Sequence, residues 1–177
     1  MMFNEQQKEE IKTIRERNIA VKLSDADCEK LARWSGEAGL TVGELLANFI
    51  GDLVGGTYSN GSDEEELAEQ WYKRCWFGSF QEPTLLNHLL KYGHEPEEYL
   101  ELVDDIETAL KEKEYLAEHP EEANEEAQYI DSDIEDCEER LSLMREGWRT
   151  EKKTDMEKEI EIIKKWVKEK EHLLGTS

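Results

Sequence analysis

Cysteine is scarce in this chain: Cys28, Cys75 and Cys137 are the only three in 177 residues, and they lie far apart. An odd, dispersed set argues against a disulfide framework and points to reduced thiols in a cytoplasmic protein. Neither these nor His88, His94, His119 and His172 fall at CxxC, HxxxH or HExxH spacing, so no local zinc signature exists. No apolar run approaches the roughly 20 residues a membrane span needs, and the N-terminus is polar rather than signal-like. Proline occurs only at Pro83, Pro96 and Pro120, each where a helix would begin. The one glycine-rich stretch, GGTYSNGS at 55–62, lacks the Lys-Ser/Thr ending of a phosphate loop. Asp131, Asp133, Glu135 and Asp136 resemble a calcium loop superficially, but Asp136 stands where the obligatory glycine belongs. No metal, no cofactor and no enzymatic site is expected.

Basic residues are also short, 22 Lys and Arg against 44 Asp and Glu, and the deficit is regional. Residues 1–60 sum to -3, 61–139 to -21 and 140–177 to +2. Between positions 95 and 139 stand 20 carboxylates and only Lys111 and Lys113. As one straight helix those 45 residues would span about 67 Å, or one net charge per roughly 3.7 Å, close to the roughly 3.4 Å per charge of a DNA strand. A surface of this kind can compete for sites that hold nucleic acid, although acidic helical faces also serve solubility alone. The carboxylates singled out for partner binding are Glu121, Glu122, Glu125, Glu126, Asp131, Asp133, Glu135 and Asp136.

Mean hydropathy is low, -0.83, yet five Trp, six Tyr and four Phe argue for a folded chain. Helices are expected nearly throughout. Asn4 caps a first helix to about Arg17. Ser24 or Asp25 caps a second, which Gly39 ends in a left-handed conformation. Thr41 and Glu44 form a capping box for a third, expected to bury Leu45, Leu46, Phe49, Ile50, Leu53 and Val54. A helix from Asp63 to Phe77 ends in Trp71, Tyr72, Trp76 and Phe77. These read as core, although beside Lys73 and Arg74 they could stack bases. Short and long helices follow from Pro83 and Pro96.

Two patterns break this monotony. Ile19, Val21 and Leu23 alternate with smaller or polar neighbours, the signature of a strand. Near the end, Ala127, Ile130, Ile134, Cys137, Leu141, Met144 and Trp148 recur at spacings of 3 and 4, as do Met156, Ile160, Ile163 and Val167. These are seams of coiled-coil type. They predict an antiparallel hairpin turning between Gly147 and Thr154, in which Lys-rich residues 152–170 neutralise part of the acidity of 121–139.

The segment NIAVKLSDADCEKLARWSGEAGLTVGELLANFI resembles a ribbon-helix-helix module. That resemblance implies a strand paired with that of a second protomer, entering the major groove of duplex DNA. Asn18, Ala20 and Lys22 would face the bases, and the backbone at Thr41, Val42 and Gly43 would hold phosphate. Ala20 offers no reading group and Lys22 is the only charge on that face. The DNA-binding residues in this reading are Asn18, Lys22 and Thr41, and a homodimer is required.

The run GLTVGELLANFIGDLVGGTYSNGSDEEELAEQWYKRCWFG, with the acidic-then-basic tail, resembles accessory proteins of mobile elements in gut Firmicutes, including type II anti-CRISPR proteins. What this implies is inhibition of a CRISPR-associated effector nuclease, alone or as its guide-RNA complex, in a bacterial cytoplasm. The expectations are therefore a mainly α protein, with a ribbon-helix-helix-like strand–helix–helix unit in 1–56. A small helical middle follows in 63–117, and a coiled-coil-type antiparallel hairpin in 118–177. The leading function is inhibition through the acidic surface. The second is a DNA-binding regulator of a mobile element. A plain coiled-coil adaptor explains the heptads but not the acidity.

Overall fold

A computed structural model describes residues 4–79, 83–122, 126–149 and 154–175. These are mainly helical, and no strand occurs among them. The chain divides into two compact units, Met1–Gln81 and Glu82–Ser177.

Unit one comprises α1 (Glu5–Lys12), α2 (Asp25–Glu37), α3 (Val42–Leu53), α4 (Ser62–Arg74) and the single turn α5 (Trp76–Ser79). Its helix starts follow local chemistry. Asn4 and Gln7 make a capping box, the Ser24 hydroxyl accepts from the Asp27 amide, and Thr41 and Glu44 make a second box. Gly39 closes α2 at φ +71°, a conformation that side chains beyond Cα disfavour. The first helix stops at Lys12 rather than Arg17. There the Thr13 hydroxyl donates to the Glu10 carbonyl, offering the backbone a local alternative to another turn.

The expected N-terminal strand is absent, and with it the ribbon-helix-helix-like unit. Residues 14–24 run without helix or ladder, and Ile19, Val21 and Leu23 are 59%, 65% and 50% exposed. Alternation records an extended path with one apolar side. A ladder needs a second strand, and none stands beside it among the described residues. Nor does α3 bury its apolar face: Leu46, Phe49, Ile50 and Val54 remain exposed, and Asp52 is its one buried residue. The Asp52 carboxylate accepts from the Asn60 backbone amide at 2.6 Å and the Asn60 side-chain amide at 2.8 Å, clipping the 55–61 loop onto α3. The aromatic end of α4 meets α3 edge to face, Phe49 to Trp71 at 5.7 Å and Trp71 to Phe77 at 6.1 Å, yet these rings are half-exposed rather than core.

Unit two has the only large apolar core among the described residues. It is built from α6 (Leu85–Lys91), α7 (Pro96–Glu118), α8 (Ile130–Met144) and α9 (Met156–Leu174). Leu85 and Leu89 of α6, Tyr99 and Leu102 of α7, Leu141 and Met144 of α8 and Ile163 of α9 form one buried cluster. Pro96 opens α7 at its first turn. Glu159 of α9 accepts from the Leu85 amide at 2.7 Å, so one helix supplies an N-terminal partner to another. Trp148 adds a tie, its indole N–H donating to the Pro83 carbonyl at 3.0 Å.

The expected pairing of the two last helices is corrected here. α8 lies along α7, antiparallel, with Arg140 bonded to Glu98 at one end and Lys113 to Asp131 at the other. α9 packs instead on α6 and α7, where Lys170 meets Glu97 at 2.8 Å. The heptad stripes mark a sticky face on each helix, but α7 carries a stripe of its own, and eleven residues separate α8 from α7 and from α9 alike, so connection length does not choose between them. The turn expected at 147–154 includes residues 150–153, which lie outside the described residues.

His88 couples this core to pH. It is buried on α6 against the Met144 backbone of α8, and its Nε2 has no hydrogen-bond partner among the described residues. Burial lowers its pKa from the ordinary 6.5, against a hydrogen bond with the Met144 backbone; the charges of His94 and Lys91 lower it further. The unfolded chain therefore takes up a proton near pH 6.5 that the folded chain refuses. Unit two is expected to hold full stability above that pH and to lose it progressively below, down to the lowered value. Denaturant unfolding at a series of pH values checks this, with His88→Leu expected to flatten the slope. An unchanged slope in that variant would assign the effect elsewhere.

Candidate acidic interface

The two helices that carry the acidity form one rod. Along α7 the buried or half-buried Tyr99, Leu102, Val103 and Ile106 face the core, leaving Glu101, Asp104, Asp105, Glu107, Glu112 and Glu114 exposed. Along α8, Ile130, Ile134, Cys137, Leu141 and Met144 turn inward, and Asp131, Asp133, Glu135, Asp136, Glu138 and Glu139 are exposed. This is the 3,4 repeat at work: apolar positions claim one stripe and solvent takes the rest.

Folding back changes the charge geometry foreseen for a straight helix. α7 holds nine carboxylates against Lys111 and Lys113, and α8 six against Arg140, a net charge of -12. Twenty-three residues make a rod about 34 Å long, so one net charge falls every roughly 2.9 Å of axis, against about 1.7 Å for duplex DNA.

Little of this charge is paired. In the rod, the ion pairs among the described residues are Glu98–Arg140, Glu107–Lys111, Asp131–Lys113 and Glu97–Lys170. The first three are solvent-exposed and each contributes about 0–1 kcal/mol. Among the described residues, no lysine of the last helix makes an ion pair with a carboxylate of α8. Lys170 is held by Glu97, with its ammonium also 5.1 Å from the centre of the Trp166 ring, and Lys158 pairs with its own cap Asp155. Lys164 is felt by Glu107 of α7. Lys152 and Lys153 lie outside the described residues. Burial pushes the Glu97 carboxyl up, but the hydrogen bond and charge of Lys170 outweigh it and the net direction is down. The pair explains why Lys170 interrupts the last heptad.

Of the carboxylates singled out from the sequence, Asp133, Glu135 and Asp136 are exposed and make no ion pair among the described residues. Asp131 and Glu135, four apart, share one side of α8, and Asp133 and Asp136, three apart, share another. Asp105 of α7 comes close to this second pair. Burial raises the Cys137 thiol between them, and the charges of Asp105, Asp133 and Asp136 raise it further against Arg140. Glu121 lies exposed in a short 3-10 turn, and Glu122 accepts from the Tyr115 hydroxyl at 2.9 Å. Glu126 opens a second 3-10 turn, and Glu125 lies outside the described residues. Sequence reasoning missed Asp104 and Asp105, although their spacing from Tyr99 and Leu102 places them on the solvent side.

The residues assigned to DNA reading are not assembled into a site. Asn18 and Lys22 lie exposed on the ladderless segment, and Thr41 caps α3. The phosphate seat foreseen there is already filled: the Glu44 carboxylate accepts from the Thr41 amide at 2.7 Å and hydroxyl at 2.8 Å, bonds that hold its pKa below the usual carboxylate value.

Among the described residues no group of His, Cys, Asp and Glu is arranged to hold a metal ion, and no helix is long and apolar enough to cross a membrane. Compared with protein-family models, curated proteins and solved structures, the chain matches none of them.

Proposed function

We propose that this protein inhibits a machine that handles nucleic acid, by laying the α7–α8 rod on a basic surface that otherwise holds DNA or RNA. One observation carries the reading. A two-helix rod presents a net charge of -12 over about 34 Å, with most of its carboxylates outside any ion pair among the described residues. Its charge spacing comes within a factor of two of duplex DNA. A rod of this kind gains from long-range attraction to a basic channel without reading any base. The most concrete target, from the family resemblance, is a type II CRISPR effector, whose heteroduplex channel is positively charged and recognised through backbone and shape. The DNA-reading alternative is not carried forward, because it rests on the ribbon.

The test is cleavage of target DNA by a guide-loaded type II nuclease while this protein is titrated at two salt concentrations. Inhibition that weakens with salt is the expected result, since screening shortens the reach of exposed charge. No inhibition at large molar excess would remove that nuclease as the target. Salt-independent inhibition would remove the electrostatic mechanism.

A further inference from the structure

Unit one buries almost none of its own apolar side chains; Ala68 is its only hydrophobic core residue among those described. A chain segment of this length needs a sizeable core to offset the entropy of ordering its backbone. Its exposed apolar surface includes a groove of about 920 Å³ between the extended segment 14–23 and α3, lined by Ile14, Ile19, Val21, Leu46, Ile50 and Tyr58.

We propose that a second copy of this chain covers that groove, making a homodimer through unit one. The inference does not depend on the proposed inhibition. Area is the first support. Burying those six side chains and the neighbouring Leu23 at roughly 100 Å² apiece removes about 700 Å² per protomer from water, close to the about 800 Å² per partner of a stable interface. Charge is the second. Glu10, Glu16, Arg15 and Arg17 rim the groove, two of each sign, so a two-fold pair can face itself without net repulsion. A nucleic acid finds no excess positive charge there. Such an apolar contact persists in salt, and salt also screens repulsion between the acidic rods of the two copies.

Sedimentation equilibrium of the full chain at micromolar concentration, in low and high salt, tests the pairing. The expected mass is twice 20.7 kDa in both. Val21→Glu, at an exposed position of the single chain, is expected to return the mass to 20.7 kDa while leaving the melting of unit two unchanged. Because that variant could also loosen unit one, a second measurement uses unaltered protein: a tagged copy co-expressed with an untagged one should retain it on affinity resin. A wild-type monomer overturns the proposal, including one whose groove is covered by its own second unit. So does a dimer that dissociates in high salt, or one that survives Val21→Glu.

Discussion

Truncating Ile163 to alanine should lower the unfolding free energy of unit two by about 2–5 kcal/mol, the range for removing a fully buried aliphatic side chain. Ile163 has no exposed surface and is the one residue of α9 in the central cluster, so its loss opens a cavity bounded by three other helices. Two of those helices, α7 and α8, are already tied to each other by Arg140–Glu98 and Lys113–Asp131, which limits how far they can collapse into the space. For a unit of this size each kcal/mol shifts the midpoint by about 4–8 °C, so a fall of about 8 °C or more is expected. Trp34→Ala in unit one, where the ring is largely exposed, should change stability by only about 0.5 kcal/mol. Thermal melts followed by circular dichroism compare the two. An Ile163→Ala protein that melts with the wild type would show that the cluster does not hold unit two together.

The contrast marks what could be read in advance. Helix starts were legible because a cap is a local contract between residues three apart: Asn4 with Gln7, Ser24 with Asp27 and Thr41 with Glu44. The inward faces of α7 to α9 were legible too, since a 3,4 spacing of Tyr99, Val103 and Ile106, or of Ile134, Cys137 and Leu141, admits only one face. Partner choice was not, because periodicity says that a stripe must be covered and is silent on which stripe covers it. Hence α8 lies on α7, and Lys170 serves Glu97 rather than the carboxylates of α8. The same gap explains unit one. Ile19, Val21 and Leu23 announce an apolar edge, and the α3 residues Leu46, Phe49 and Ile50 an apolar face. Neither pattern states that its cover lies within the same chain. Long-range polar ties, Asp52 with Asn60 and Glu159 with the Leu85 amide, left no sequence signal.

Reversing Asp133, Glu135 and Asp136 to lysine should raise the concentration needed for half-inhibition by roughly 100-fold, at about 1 kcal/mol for each charge whose contact with a basic channel is lost. These three are the exposed α8 carboxylates singled out from the sequence that make no ion pair among the described residues, so the substitution takes the rod from -12 to -6 without breaking an ion pair seen there. Their side chains support no core contact, and the melting temperature is expected to stay within a few degrees of wild type. The matched control reverses Glu5, Glu29 and Glu37, the same change in net charge placed on helices other than α7 and α8. If inhibition follows net charge alone, both variants weaken together and the rod has no special standing. If the rod is the contact surface, only the α8 variant weakens, and its remaining inhibition depends less steeply on salt because fewer counterions are released from the target on binding. Equal inhibition by the α8 variant and wild type would exclude this face of the rod from the contact, because a surface acting by charge cannot lose half its excess and bind as before.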